Sequence, residues 1–327
     1  MYEKFGQFID GKWLESSDKG TYEVINPATE EVIGNASKAT PKDVERALKS
    51  AEKGLLVWKK TAPWQRSYIL RKIADKMREK QDVLAKWMTL EVGKPLAEAK
   101  GEVGGAADIF EWNAEETKRI YGQTVESRFE DTRVHVYYQP VGVVAALTPW
   151  NFPAVLSARK ISTALAAGCS VIIKPDVITP GIIMQMVDIC RECGVPPGVV
   201  NLLSGDPPSI AQQLIASDII KKISITGSSR VGKLILKQAN LIKKAGLNGI
   251  VCSGGIEAKI IKKKYKNMFI VTPGIRLPGD RPNDQSRVTT PRDALIKNKA
   301  SAIVMGRSLV QGNIKKNIKK LIDHLNK

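Results

Sequence analysis

Three apolar runs in the middle of this chain end on polar residues that could meet a ligand. VGVVAALTPWNFP runs out into Thr148, Trp150 and Asn151. SVIIKPD ends on Lys174. KISITGS ends on Thr226, Gly227 and Ser228, with Gly232 a little further on. An amide, an ammonium and a small-residue turn are groups that can donate hydrogen bonds to a bound molecule. Taken singly, each is weak. A lysine after an apolar strand is ordinarily a solvated surface residue, and Thr-Gly-Ser is ordinarily a helix cap. No G-x-G-x-x-G accompanies them.

The elements that must position these residues follow from the pattern. Short apolar runs alternate with helical patterns in the order VHVYYQP, VGVVAALTPW, PAVLSARKISTALAAG, SVIIKPD, TPGIIMQMVDICREC, VVNLLSG, PPSIAQQLIA, KISITGS and SRVGKLILKQAN. That order predicts an α/β domain with a parallel sheet covered on both faces, Rossmann-like, with ligands at the carboxyl ends of its strands. Upstream, Asp10-Gly11 within FGQFIDGKWLES signals a hairpin, and TYEVINPATEEVIG repeats the idea. Thr40 and Pro41 read as the N-cap and first residue of a helix. Helical patterns then continue to about Lys118.

Taken together and in order, FIDGKW, INPATEEVIG, MTLEVGKPLAEAKGEV, PVGVVAALTPWNFP, AAGCSVIIKPD, GVPPGVVNLLSGD and ITGSSRVGKLILKQA resemble the NAD(P)-dependent aldehyde dehydrogenases, of the succinate-semialdehyde dehydrogenase type. The resemblance runs over residues 5–240. It implies that Asn151 donates to the oxyanion of the tetrahedral intermediate, a preorganised donor for charge that develops in the transition state. It implies that Trp150, Lys174, Thr226, Gly227, Ser228 and Gly232 form the cofactor site. Lys174 would meet the adenosine ribose, and the GSSRVG turn would offer helix N–H groups to the pyrophosphate. Asp176 follows Lys174-Pro175, where its carboxylate would repel a 2′-phosphate, so the expected cofactor is NAD. The family's general-base glutamate in an ELGG context and its nucleophilic-cysteine motif do not occur in the chain. Cys252, in VCSGG, lacks the matching flanks.

Downstream, the strands GIVC, MFIVTPGI and SAIVMG alternate with helical patterns, including TPRDALIKNK with Thr290 as N-cap. Three such β/α units suggest part of a TIM barrel. AGLNGIVCSGGIEA, FIVTPGIR, DQSRVTTPRDA and AIVMGRSLV resemble the C-terminal portion of orotidine 5′-phosphate decarboxylase. That resemblance implies a phosphate site of Arg276, Gln285, Gly306 and Arg307. The family's Asp-x-Lys-x-x-Asp network has no counterpart here. The implied organisation is a dehydrogenase-like cofactor region at 1–240 joined to a decarboxylase-like fragment at 241–327. One unbroken helix from Ser228 to Lys244 would join them.

Composition narrows the classes. The formal net charge is +18, and residues from Leu241 onward hold 19 Lys and Arg against 5 Asp and Glu. Basicity confined to one end marks a boundary between two regions more than a nucleic-acid face. The stripe Ile314, Ile318, Leu321, Ile322 and Leu325, with lysines opposite, reads as a helix docked on a sheet. No apolar run reaches membrane length and no secretory signal opens the chain, so a cytoplasmic location is expected. Cys190-x-x-Cys193 has no second ligand pair and sits near a helix end, so no metal is expected. The expected ligands are a dinucleotide or a nucleotide phosphate, with oligomerisation through unpaired faces. The overall expectation is a non-catalytic fusion of two incomplete enzymes. The alternatives are an active semialdehyde dehydrogenase completed by a partner chain, or an orotidine monophosphate decarboxylase completed in trans.

Overall fold

A computed structural model describes residues 2–226, 249–252, 256–264, 266, 269–280 and 288–326. The chain divides into two compact units, Met1–Ile223 and Ser224–Lys327. The helix expected over Ser228–Lys244, and the boundary expected at residue 240, lie outside the described residues.

The first unit opens with the hairpin β1 (Gln7–Ile9) and β2 (Lys12–Leu14). Asp10 and Gly11 both take positive φ, 54° and 76°, as a tight turn matching strand twist requires. A separate antiparallel pair follows, β3 (Thr21–Ile25) and β4 (Val32–Ser37). Four helices come next: α1 (Pro41–Trp58), α2 (Pro63–Glu79), α3 (Gln81–Val92) and α4 (Leu96–Thr117). Thr40 caps α1 as expected, in a capping box with Asp43. Then β5 (Gln123–Glu126) and β6 (Arg133–Val136) pair as an antiparallel ribbon exposed along its whole length.

The ligand-bearing core alternates as the pattern predicts: β7 (Val143–Leu147), α5 (Pro153–Ala166), β8 (Val171–Lys174), α6 (Pro180–Glu192), β9 (Val200–Leu202), α7 (Pro207–Ala216) and β10 (Ile220–Ile225). Every residue of β7, β8 and β9 is buried, as befits strands covered on both faces. α1 and α7 pack on one face; α5 and α6 lie on the other, backed by α2, α3 and α4. The strand order is β10-β7-β8-β9-β1-β2. β7, β8 and β9 are parallel, but β1 joins β9 antiparallel through Phe8 and Leu202. The sheet is therefore mixed, not purely parallel as expected. The N-terminal hairpin closes the β9 edge. Gln7 fixes it there, donating to Ser37 O at 3.0 Å and Ser204 O at 3.1 Å and accepting from Ser204 N at 2.8 Å.

In the second unit, β11 (Gly249–Val251), β12 (Phe269–Thr272) and β13 (Ala302–Ile303) form a parallel sheet in sequential order. α8 (Ile256–Lys264) lies between the first two strands, a π-helical turn (Asp293–Lys297) precedes β13, and α9 (Arg307–Val310) and α10 (Ile314–Asn326) close the unit. Thr290 caps its turn as expected, Oγ1 accepting from Asp293 N at 3.1 Å. The apolar stripe of α10 departs from expectation. The helix forms, yet Ile314, Ile318 and Ile322 stay 44–52% exposed. Among the described residues α10 packs against the short α9, and Arg292 Nη1 donates to Leu325 O at 3.0 Å. The three strands make an open sheet, which is not by itself a barrel.

Gly54 sets the spacing between α1 and the turn before β9, since a Cβ there would lie 2.2 Å from the Gly198 carbonyl carbon. That backbone cannot retreat without moving β9. Gly54→Ala is expected to cost about 3 kcal/mol in urea unfolding, because overpacking against main chain has no flexible side chain to absorb it. An unchanged midpoint would show that the contact is not tight.

Candidate cofactor and active site

The strand order reverses at β7: β8 and β9 lie to one side of it and β10 to the other. Crevices at such switch points, outside the carboxyl ends of the strands, are where open α/β sheets bind ligands. Two predicted site segments meet this position in the first unit: the turn Trp150–Phe152 after β7, and Lys174 at the end of β8. Leu147 pairs with Lys174 across the ladder, and Thr148 N donates to Lys174 O at 3.2 Å.

The turn before α5 is built from outside. Phe152 occupies the N-cap position and has no side-chain acceptor. Glu102, buried on α4, takes over: its Oε1 accepts from Ala154 N at 2.9 Å and Val155 N at 3.2 Å. A carboxylate there satisfies orphan N–H groups and meets the positive end of the helix dipole. Lys94 pairs with Glu102, donates to Asn151 O at 3.3 Å, and lies over the Phe152 ring at 4.6 Å. The backbone carrying Asn151 is thus pinned, while the Asn151 side chain is exposed and Trp150 is 47% exposed.

Lys174 is the reverse. It is 4% exposed, and among the described residues its ammonium has no hydrogen-bond or ion-pair partner. Burial pushes its pKa down to about 8, with Asp176 and Asp206 opposing that fall. Thr148 Oγ1 and Thr179 Oγ1 are also buried without partners. A buried ammonium and two orphan hydroxyls fit a ligand rich in oxygen. Thr226 directly follows β10. Gly227, Ser228 and Gly232 lie outside the described residues.

Cys190 and Cys193 offer no alternative centre. Burial raises the pKa of both Cys190 and Cys193, the opposite of what a reactive thiol needs. No group of metal-binding side chains occurs among the described residues. None of their helices is long and apolar enough to cross a membrane. In the second unit, Arg276 is buried at 6% exposed; Nη1 donates to Ile275 O at 3.1 Å and Nε has no partner. Gly306 is exposed, Arg307 opens α9, and Gln285 lies outside the described residues.

Comparison with known proteins agrees with this layout. The profile described as "Aldehyde dehydrogenase family" matches residues 13–265. The chain belongs to the aldehyde dehydrogenase family. It is 43% identical over 241 residues to a glutarate-semialdehyde dehydrogenase of Pseudomonas putida, covering 73% of this chain and 50% of that protein. It is 41% identical over 240 residues to a succinate-semialdehyde dehydrogenase [NADP(+)] of Escherichia coli, with the same coverage. A solved succinate-semialdehyde dehydrogenase from Burkholderia pseudomallei superposes with a TM-score of 0.72 at 33% identity, covering 82% of this chain and 60% of that one. The chain spans about half the length of the curated dehydrogenases it matches. The family profile runs past residue 240, where the sequence placed the end of the dehydrogenase region.

The dehydrogenase fold also brings forward a residue that the sequence reading missed. An open cleft of about 530 Å³ lies between α4 and α5, lined by Asp108, Ile109, Trp112, Asn113, Arg159 and Thr163. Arg159 stands on α5 eight residues after Asn151. Its only signal was its place on the helix that the PWNFP turn begins.

The lone buried ammonium has a pH signature. A lysine whose folded pKa is depressed from 10.5 to about 8 costs stability whenever it must be charged in the fold. Its stabilising balance is complete above the unfolded pKa and is lost as pH falls from about 10.5 through about 8. Lys174→Met should therefore raise the stability of the ligand-free chain at pH 7 by on the order of 2 kcal/mol, and change little at pH 11. Urea unfolding at both pH values checks this; equal effects at both would remove the charge explanation.

Proposed function

We propose that residues 1–240 are the cofactor-binding and oxyanion-donating half of an NAD-dependent semialdehyde dehydrogenase, whose turnover requires a catalytic half supplied beyond them. The observation that supports this is the buried, unpartnered Lys174 at the switch point of a dehydrogenase sheet, in a chain matching half of its relatives. Lys174 and the orphan hydroxyls of Thr148 and Thr179 would hold an adenosine ribose. Thr226, Gly227, Ser228 and Gly232 would bind the pyrophosphate. Asp176, near enough to Lys174 to raise its pKa, disfavours a 2′-phosphate and so favours NAD. When bound, the dinucleotide supplies the hydride acceptor.

The remaining work falls to this chain's own groups. Asn151 would donate its amide N–H to the substrate oxygen as negative charge develops there, from a backbone that Lys94 and Glu102 hold still. The relatives named above act on aldehydes that end in a carboxylate. Arg159, the guanidinium of the cleft beside α5, would take such a distal carboxylate by paired N–H bonds. The exposed β5–β6 ribbon, only marginally stable alone, would be covered by a second subunit.

The deciding measurement is NADH formation from succinate or glutarate semialdehyde. It uses the chain alone and the chain mixed with the C-terminal half of the Pseudomonas putida relative as a separate polypeptide. The expected result is NAD binding by the chain and turnover only in the mixture. There, Asn151→Ala should lower kcat roughly 10²–10³-fold, the range for loss of one oxyanion donor. Arg159→Gln should raise KM for the semialdehyde and leave KM for an uncharged aldehyde of the same length unchanged. NAD binding without turnover in any combination would favour the non-catalytic reading; absence of NAD binding would end this proposal.

A second reading concerns the second unit. The decarboxylase resemblance of 241–327 rests on sequence alone, but the partnerless Arg276 Nε favours its phosphate-site component. Arg276, Gln285, Gly306 and Arg307 would hold a phosphate monoester. Calorimetry with inorganic phosphate should show binding that Arg276→Met abolishes; no heat from the unmodified chain would remove the site.

A further inference from the structure

α6, the helix that follows Lys174, cannot cap itself. Its N-cap Thr179 makes no side-chain capping bond, its Oγ1 is buried without a partner, and Pro180 has no N–H. The cap comes from α3. Glu91 Oε1 accepts from Gly181 N at 2.6 Å, and Oε2 accepts from Ile182 N at 3.0 Å. Tyr2 Oη, from the N-terminal segment, donates to the same carboxylate. Glu91 is fully buried, and the Tyr2 ring stands edge-on to Trp87 with centroids 5.1 Å apart. Only glycine fits at 181: a Cβ there would lie 2.2 Å from the Trp87 ring and 2.7 Å from Glu91 Oε1.

Only residues 175–179 separate Lys174 from this clamped helix start. Pro175 stiffens the link, and Asp176 ties it locally, with Oδ1 accepting from Ile178 N at 3.1 Å and O from Thr179 N at 3.3 Å. The Lys174 turn is thus anchored at one end by the β8 ladder and at the other by Glu91. We propose that Glu91, held by Tyr2, is a positioning residue that sets the Lys174 ammonium for its ligand.

The clamp is sensitive to pH in the neutral range. Burial pushes Glu91 up to about 7, against the hydrogen bonds from Tyr2, Ile182 N and Gly181 N that favour its charge. The groups around it are Tyr2 from the N-terminal segment and Tyr22 from β3, with Asp176 acting on Tyr22 from the turn; among the described residues no cation acts on it. The ionised carboxylate accepts from both helix N–H groups, and protonation weakens one of those acceptors.

Two readouts on the full chain test this. The first, which rests on the dinucleotide reading, is NAD affinity between pH 5.5 and 8.5. The unmodified chain should lose affinity several-fold as pH falls through the neutral range. Glu91→Gln should bind several-fold more weakly at pH 8, with that step abolished. Tyr2→Phe should move the step to higher pH, because it removes a hydrogen bond that favours the charged form. The second readout needs no dinucleotide: the rate of Lys174 acylation by acetic anhydride, read by peptide mass spectrometry with exposed Lys222 as reference. Glu91→Gln should speed Lys174 labelling several-fold and leave Lys222 unchanged. If NAD never binds but Lys174 labelling rises, the cofactor reading fails and the positioning role stands. If Glu91→Gln leaves both the pH profile and Lys174 labelling unchanged, or lowers only the melting temperature, the role is overturned. Should Glu91→Gln fail to fold, an unmoved pH step and unchanged Lys174 labelling in Tyr2→Phe would overturn it equally.

Discussion

A carboxylate placed at the start of a helix it does not belong to is the interaction on which the ligand face of the first unit depends. α5 and α6 both begin with residues that cannot cap them, Phe152 and a Thr179 whose hydroxyl makes no capping bond. Both are capped from the helical layer behind, by Glu102 and Glu91. Each glutamate meets two main-chain N–H groups where the helix dipole is positive, so the charge is worth more there than at the surface. Each also fixes the strand-to-helix turn that precedes it. The turn after β7 carries Asn151, and the turn after β8 carries Lys174. Two carboxylates eleven residues apart in MTLEVGKPLAEAKGEV therefore decide where the polar groups of two different strands stand.

Those polar groups are held at a cost. A buried ammonium opposes folding even with Asp176 and Asp206 acting on its charge, and the orphan hydroxyls of Thr148 and Thr179 add to the penalty. The surrounding structure offsets this with strands buried on both faces and a helix layer whose largest side chains, Trp58, Phe110 and Leu70 among them, are fully enclosed. A binding group that destabilises the empty fold gains in differential affinity, because the ligand relieves the penalty that folding imposed. That is the physical sense in which Lys174 reads as a binding group. A surface lysine at the same place in sequence would carry no such cost.

Much of this was legible in the residues. The alternation of apolar runs and helical patterns gave the order β7 to β10, since buried parallel strands leave unbroken apolar text. Asp10-Gly11 and Thr40-Pro41 declared their turn and cap because their chemistry is local. What stayed hidden is what depends on long-range partners. Gln7 joins the hairpin to Ser204 across 197 residues, and nothing in FGQF says so. Nothing in MTLEVGKPLAEAKGEV says that Glu91 and Glu102 cap the starts of α6 and α5. Tyr2, five residues before β1 begins, gave no hint that it closes a buried cap. In the second unit the amphipathic stripe of α10 correctly announced a helix but not its burial, because periodicity specifies a face and not the surface that will cover it.

The two polar centres of the first unit differ in one respect that orders its chemistry. Lys174 is buried, set between the β8 ladder and the turn that Glu91 clamps at the start of α6. Asn151 and Trp150 project from an equally well-held backbone, but their side chains stand in solvent. An amide donor in water competes with water for the oxyanion, and its advantage as a preorganised group appears only when the site is desolvated. Burial therefore separates the two groups physically. The buried lysine already stands desolvated in the empty fold, whereas the exposed amide of Asn151 gains its advantage as a donor only once water is excluded from it.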